Sequence, residues 1–460
     1  MDDVHISRTI LRAVEQGELP KSFLEEVVNE HLLGRCPHCR AEAEAYQAER
    51  GYGASGIRRL LLFATTLLDR FVSSTDRELQ RAQQDLQELL LLSPNEREGR
   101  VERARDRFRG SSLVKLLLAE GHRCIPGQPD AAFHFSDLAR KVANRSPGLP
   151  EYFEMHALAT ALMANARRAA GQLAEADELF ILSRHVIVEH GVTEPAVVAR
   201  VDDLLGSLRK DQRRFPEAER LLKRAAAQFG LIQALDDAAR ALINLGQIHQ
   251  LSGSLDRAIE TTQSALALLG PQSEPRLHLC ARFNLAQQLV HAERYDEASA
   301  RLEEDAELYV CFPEPWTQLR LVWLRGDIAA GWKDLETAEC LYLTARDGFI
   351  AQGIGYDAAM VSLDLAVLYL RQGRTSRVRR IAEEMLPVFQ AQDVHREALI
   401  ALALFQEAAR QDQLTVEKAL EVSGYLHEAR NEPGRRFRWK RRSGDDFLSS
   451  SRAVGEGRPE

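Results

Sequence analysis

The chain runs to 460 residues, of which 45% are hydrophobic and 28% charged, with a formal net charge of −8. That length leaves room for several domains or one long repeat array, and the acidic balance excludes a chain that coats nucleic acid along its whole length. The 6 cysteines form one close pair, Cys36 and Cys39, plus scattered singles, a pattern that fits a reduced, cytoplasmic chain rather than a disulfide scaffold.

The N-terminus, MDDVHISRTI, lacks the apolar stretch of a secretory signal, and the longest apolar run, LLLFATTLL at 60–68, is about half of a membrane span. HISRTILRAVEQGELP (5–20) predicts a short amphipathic helix closed at Gly17 and Pro20. SFLEEVVNEHLL (22–33) predicts a second, with Ser22 and Glu25 spaced as a capping box. Then comes HLLGRCPHCR (31–40), and Cys36 and Cys39 admit three readings. A redox pair wants a preceding strand, and no strand pattern lies nearby. Two small apolar side chains packed in a helical head is the plain reading. Zinc is the third: two thiolates with a two-residue spacer, plus His31 from the preceding helix end, supply three ligands.

These residues resemble the zinc-binding anti-sigma domain. GELP followed by HLLGRCPHC echoes that family's wording, with one extra residue between His31 and Cys36, and His5 precedes His31 by 26 residues. The resemblance covers residues 1–50. It implies a closed structural zinc site of His5, His31, Cys36 and Cys39, and a regulatory role toward a sigma factor or another signalling protein.

GYGASG (51–56) has the wording of a dinucleotide fingerprint but follows a helix, which predicts a hinge instead. Residues 51–110 are expected to be that hinge and connecting helices.

From there to about residue 430 a 40-residue period dominates. GQLAEAD, RRFPEAE, GSLDRAI, ERYDEAS and KDLETAE each place a large apolar residue three positions before an alanine: Ala176, Ala218, Ala258, Ala298 and Ala338. Ala132 extends the column upstream, and Val378 and Ala419 extend it downstream. Twelve residues before the alanines lie Ala164, Gly206, Gly246, Ala286, Gly326 and Ala366. Small residues recurring in two columns predict antiparallel helix pairs whose backbones cross closely. The pattern resembles the tetratricopeptide repeat, on Leu205-Gly206 with Ala218, Leu245-Gly246 with Ala258, and Ala176 with Phe180. It lacks that family's early Trp and late Pro, and longer helices are the expected cause of the longer period.

The fold this implies is all-α: a right-handed superhelical solenoid of helix hairpins over 111–430, with one long concave face and no deep pocket. In the family, the second, sixth and ninth positions of the first helix of each hairpin face the groove. By register, these are Arg200, Arg240 and Arg320; Asn244 and Asn284; and Gln247 and Gln287. Peptide-clamping relatives use Asn and basic residues there, so a ladder of amides and guanidiniums is expected to grip a peptide or helix. The competing reading is a solvated face whose arginines pair with neighbouring acids.

The tail, 431–460, is basic and Gly/Ser-rich, and predicts disorder. RRFRWKRR (435–442) offers a contact for nucleic acid or an acidic partner. The motifs of hydrolases, metalloproteases and nucleotide-binding loops are absent. The sequence therefore predicts a cytoplasmic, non-enzymatic protein-interaction scaffold without a membrane span, the alternative being a nucleic-acid-associated regulator acting through head or tail.

Overall fold

The computed structural model describes residues 7–16, 38–39, 41–42, 45–46, 77–104, 107–125, 127–149, 151–390, 396–429 and 437. Among the described residues every regular element is helical and there is no strand. The chain divides into two compact units, Met1–Glu120 with Leu138–Met155, and Gly121–Asp137 with His156–Glu460.

The first four assigned helices are α1 (Arg8–Gln16), α2 (Pro94–Arg103), α3 (Ser111–Cys124) and α4 (Pro129–Asn144), and residues 77–90 are also helical. In the first unit, Ser93 and Glu96 close a capping box at the start of α2, with Pro94 at its first position. Arg107 pairs with Asp85 and Glu88, and Phe108 is buried beneath the guanidiniums of Arg100 and Arg107. Arg8 on α1 pairs with Glu42 at 3.0 Å, and Cys39 and Tyr46 are buried.

The second unit carries the period. Its helices are α5 (Tyr152–Ala169), α6 (Leu173–Glu189), α7 (Pro195–Asp211), α8 (Phe215–Leu231), α9 (Leu235–Leu251) and α10 (Leu255–Leu268). There follow α11 (Pro275–His291), α12 (Tyr295–Glu304), α13 (Ala306–Val310), α14 (Pro315–Gly331) and α15 (Leu335–Ala351). The last four are α16 (Gly355–Arg371), α17 (Thr375–Gln390), α18 (Arg396–Arg410) and α19 (Val416–Ala429). Helices α7, α8, α9, α11, α14, α15 and α16 each have 17 residues, and three-residue links join α7, α8 and α9. Two such helices and two such links make the 40-residue period, so longer helices do account for its excess.

Both small-residue columns are buried. Ala176, Ala218, Ala258, Ala298, Ala338 and Ala419 have no exposed surface, and Ala132 and Val378 are buried too. Gly206 and Gly326 show why the other column must be small. A Cβ on Gly206 would meet Leu222 at 2.8 Å, and one on Gly326 would meet the Tyr342 ring at 2.8 Å. Larger residues there would force the paired helices apart, at a cost of about 1–3 kcal/mol each. Phe180, Phe229, Phe349 and Phe405 are among the largest fully buried side chains of the described residues.

Every hairpin turns the same way. The left-handed residue in the link inside each hairpin from α5 to α19 is Gly171, Arg213, Gly253, Glu293, Lys333, Gly373 or Asp412, with φ between 54° and 79°. Proline opens α7, α11 and α14, where its missing N–H is no loss. Consecutive helices pack against one another, and the first helices of successive hairpins, α7, α9, α11 and α14, also touch in turn. The second unit is thus a stack of hairpins whose first helices lie side by side, with α19 packed on α16.

Candidate functional site

Side-by-side first helices bring the register positions read from the sequence onto one face. At the near end they form a polar network. Arg200 on α7 reaches Asp237 on α9 at 2.5 Å, and Asp237 also accepts from Arg240 at 2.9 Å. Arg240 in turn reaches Glu274 at 3.2 Å. Behind them, Asn244 donates to the buried Asp203 at 3.4 Å, and Lys210 donates to Gln247 at 2.8 Å. Arg200 also lies over the Phe229 ring. Burial raises the Asp203 carboxyl above its usual range, against the pull of Arg200 and the Asn244 hydrogen bond. Burial likewise lowers the Lys210 ammonium. His122 faces the same cations: burial, then Arg240 and Arg200, lower its affinity for a proton.

Four of the seven groove residues expected from the sequence, Arg200, Arg240, Asn244 and Gln247, therefore join two linked helices through intramolecular bonds. Pairing of arginines with neighbouring acids, the competing reading, describes this end of the face. The other three lie further along. Asn284 is half-buried and makes no hydrogen bond among the described residues. Gln287 and Arg320 line a cavity.

That cavity corrects the expectation of a face with no deep pocket. It holds ≈ 330 Å³, and its walls come from α11, α14 and α16 with Tyr295 of α12, Tyr342 of α15 and Leu420 and Ser423 of α19. The large side chains Phe283, Trp323 and Tyr342 are among those that line it. On its walls lie two carboxylates. Tyr342 donates its hydroxyl to Asp327 at 2.9 Å, and Trp323 donates its indole N–H to Asp364 at 2.9 Å. Burial pushes Asp364 up to about 7, and burial together with the neighbouring Asp364 charge raises Asp327 well above the ordinary carboxylate range. Arg320 rests on the rings of Phe283 and Trp316, at 4.6 and 4.9 Å.

Sequence reasoning missed both acids, although the register pointed straight at them. Asp364 follows Asn244 and Asn284 by multiples of 40, and Asp327 follows Gln247 and Gln287 in the same way. Restricting the ladder to amides and basic residues, as peptide-clamping relatives have it, dropped the two positions where the column changes charge.

Of the expected metal ligands, Cys39 is buried, while His5, His31 and Cys36 lie outside the described residues, as does the hinge GYGASG. Of the basic stretch 435–442, Phe437 alone is described, and its ring lies 4.9 Å from that of Tyr425 on α19, inclined to it by 59°.

With the geometry in place, the chain can be set beside known proteins. No family model matches it. No curated protein matches it either. Solved structures do. A Rap protein complexed with competence and sporulation factor aligns with a TM-score of 0.53 at 13% identity, covering 69% of this chain and 88% of that one. The apo form of RapI aligns with a TM-score of 0.50 at 11% identity, covering 70% of this chain and 99% of that one. The fold is shared with the Rap proteins. It is a tetratricopeptide-like stack of helix hairpins, and at so low an identity the likeness to the Rap structures concerns the fold alone. No helix among the described residues is long and apolar enough to cross a membrane.

Proposed function

We propose that the second unit is a non-enzymatic scaffold that binds a peptide or helix of a partner protein along the face made by α7, α9, α11, α14 and α16. The observation that carries this reading is the alignment of polar positions from successive hairpins, ending in a cavity lined by residues of the same columns. A stack of hairpins offers such a face because each helix pair hides its apolar side only against its neighbours. The Rap protein of the same fold is itself in complex with another molecule, competence and sporulation factor, which supports a binding role for this fold. The finer role, a cytoplasmic regulator of a sigma factor or other signalling protein, rests on the likeness of residues 1–50 to zinc-binding anti-sigma domains.

The test is affinity capture of partners by the full chain and by the double variant Asn244→Ala, Asn284→Ala, with helicity followed by circular dichroism. Loss of the captured partner at unchanged helicity supports the reading. Capture unaltered by the double variant, and equally unaltered by Arg320→Ala, ends it.

A further inference from the structure

The cavity between α11, α14 and α16 differs in character from the rest of the face. Its volume, ≈ 330 Å³, falls at the small end of the range typical of ligand sites, about 300–1,000 Å³. Aromatic and apolar groups, among them Phe283, Trp323, Tyr342 and Met360, make up much of its lining. Set into that lining are Asp327 and Asp364, each with a single hydrogen-bond donor, Tyr342 and Trp323 respectively. Neither forms an ion pair with a cation among the described residues. The cations that share the cavity are otherwise disposed: Arg320 lies over Phe283 and Trp316, and Arg371 pairs with neither acid.

Two carboxylates facing each other's field in a cavity of mixed polar and apolar lining are costly to ionise together. One cationic group between them would relieve both repulsion and desolvation, and the aromatic walls suit the alkyl stem that carries such a group. Arg320 and Arg371, on the same cavity, can donate to backbone carbonyls or a carboxylate of the same ligand.

We propose that this cavity is a specificity pocket for a positively charged group of a bound peptide, either a lysine or arginine side chain or the free amino terminus, held between Asp327 and Asp364. The inference deepens the groove reading and rests on it, and it runs opposite to a ladder of cations and amides that grips carboxylates. Peptides with a basic group are thus selected at one end of the face.

The experiment uses the full chain immobilised and challenged with positional-scanning hexapeptide libraries, each prepared with a free and with an acetylated amino terminus. Sub-libraries with lysine or arginine fixed at one position are expected to be retained at least about ten-fold over those with glutamate fixed there. Asp327→Asn and Asp364→Asn, which keep size and hydrogen-bonding shape, should erase that preference. Their thermal unfolding confirms that they fold. If acetylation alone abolishes retention, the amino terminus is the group held; if only the fixed basic position matters, it is the side chain. Preference for acidic or apolar positions, no retention at all, or a basic preference that survives both Asn variants overturns the proposal. Binding lost in the Asn244→Ala, Asn284→Ala variant but kept in the Asp variants would leave the groove reading standing and remove the pocket alone.

Discussion

Trp323 on α14 donates its indole N–H to Asp364 on α16 at 2.9 Å, so a hydrogen bond to a carboxylate joins the first helices of two adjacent hairpins across the cavity. The same indole packs edge-on against Phe349, with ring centroids 6.2 Å apart. Trp323→Phe would keep an aromatic ring at this place and delete the N–H. A half-buried carboxylate that loses its one protein donor is left with only such water as reaches it through the cavity. The expected loss of stability is about 1–3 kcal/mol, seen as a lower denaturant midpoint. In a double-mutant cycle with Asp364→Ala, which removes the acceptor, the cost of Trp323→Phe should shrink markedly; an unchanged cost would mean the indole acts through packing alone.

The hairpin links carry a second expectation. Glu293 and Lys333 stand in left-handed backbone, with φ of 59° and 65°, where the equivalent links elsewhere use Gly171, Gly253 and Gly373. A side chain there crowds the following carbonyl at a cost of about 1–2 kcal/mol. Both residues are exposed, so little contact is lost on truncation. Glu293→Gly and Lys333→Gly should each raise stability by roughly 0.5–1 kcal/mol after the greater freedom of glycine in the unfolded chain is allowed for. Distant and independent, the two should add in thermal unfolding.

These examples also mark what the sequence made legible. The hairpin register was readable because it rests on steric exclusion. Only a small residue fits where Gly206 faces Leu222 or Gly326 faces Tyr342, so the columns had to repeat. The face of the first helices followed from the same register. Which of its residues are spent inside the protein was not readable, since that depends on distances between helices. Arg200 meets Asp237 only because α7 and α9 lie alongside each other. The cavity was missed for a related reason: its lining is assembled from side chains of several helices far apart in the sequence. Asp327 and Asp364, by contrast, stood in the columns already, and a reading that followed position instead of residue type reaches them.

The N-terminal cysteines give a third expectation. Cys39 is buried in the first unit, as a ligand of a closed structural zinc site would be. Purified, reduced protein should hold about one zinc per chain by elemental analysis, and thiol titration should find Cys36 and Cys39 unreactive until a chelator is added. His31→Ala and Cys39→Ser should lower both the zinc content and the melting temperature of the first unit. A metal content near zero would leave the pair as small buried apolar side chains.

The acidic pair makes a final prediction, about pH. Burial gives Asp327 and Asp364 higher proton affinity in the folded chain than in the unfolded one, and the Asp364 charge raises Asp327 further; Asp364 stands at about 7 against an ordinary value of 3.8. The groups that share the cavity with them are His291, Tyr295, Arg320, Tyr342 and Arg371. Because the folded state holds the proton more tightly, the pair's stabilising contribution is full below about pH 4 and is lost as pH rises toward 7. Carboxylates such as Glu339 and Glu219, lowered by their arginine and lysine partners, act in the opposite sense, so the wild-type curve alone is not diagnostic. The difference between Asp364→Asn and wild type is. The variant should match wild type near pH 4 and exceed it at pH 8 by something on the order of 2 kcal/mol, a figure reduced because the carboxylate is reachable from solvent through the cavity. Ligand binding should show the mirror image: a cationic peptide meets ionised carboxylates only at the upper end of that range, so its affinity should climb with pH in wild type and stay flat in the variant. A stability difference that does not change between pH 4 and pH 8 would show that the pair ionises as freely in the folded chain as in the unfolded one.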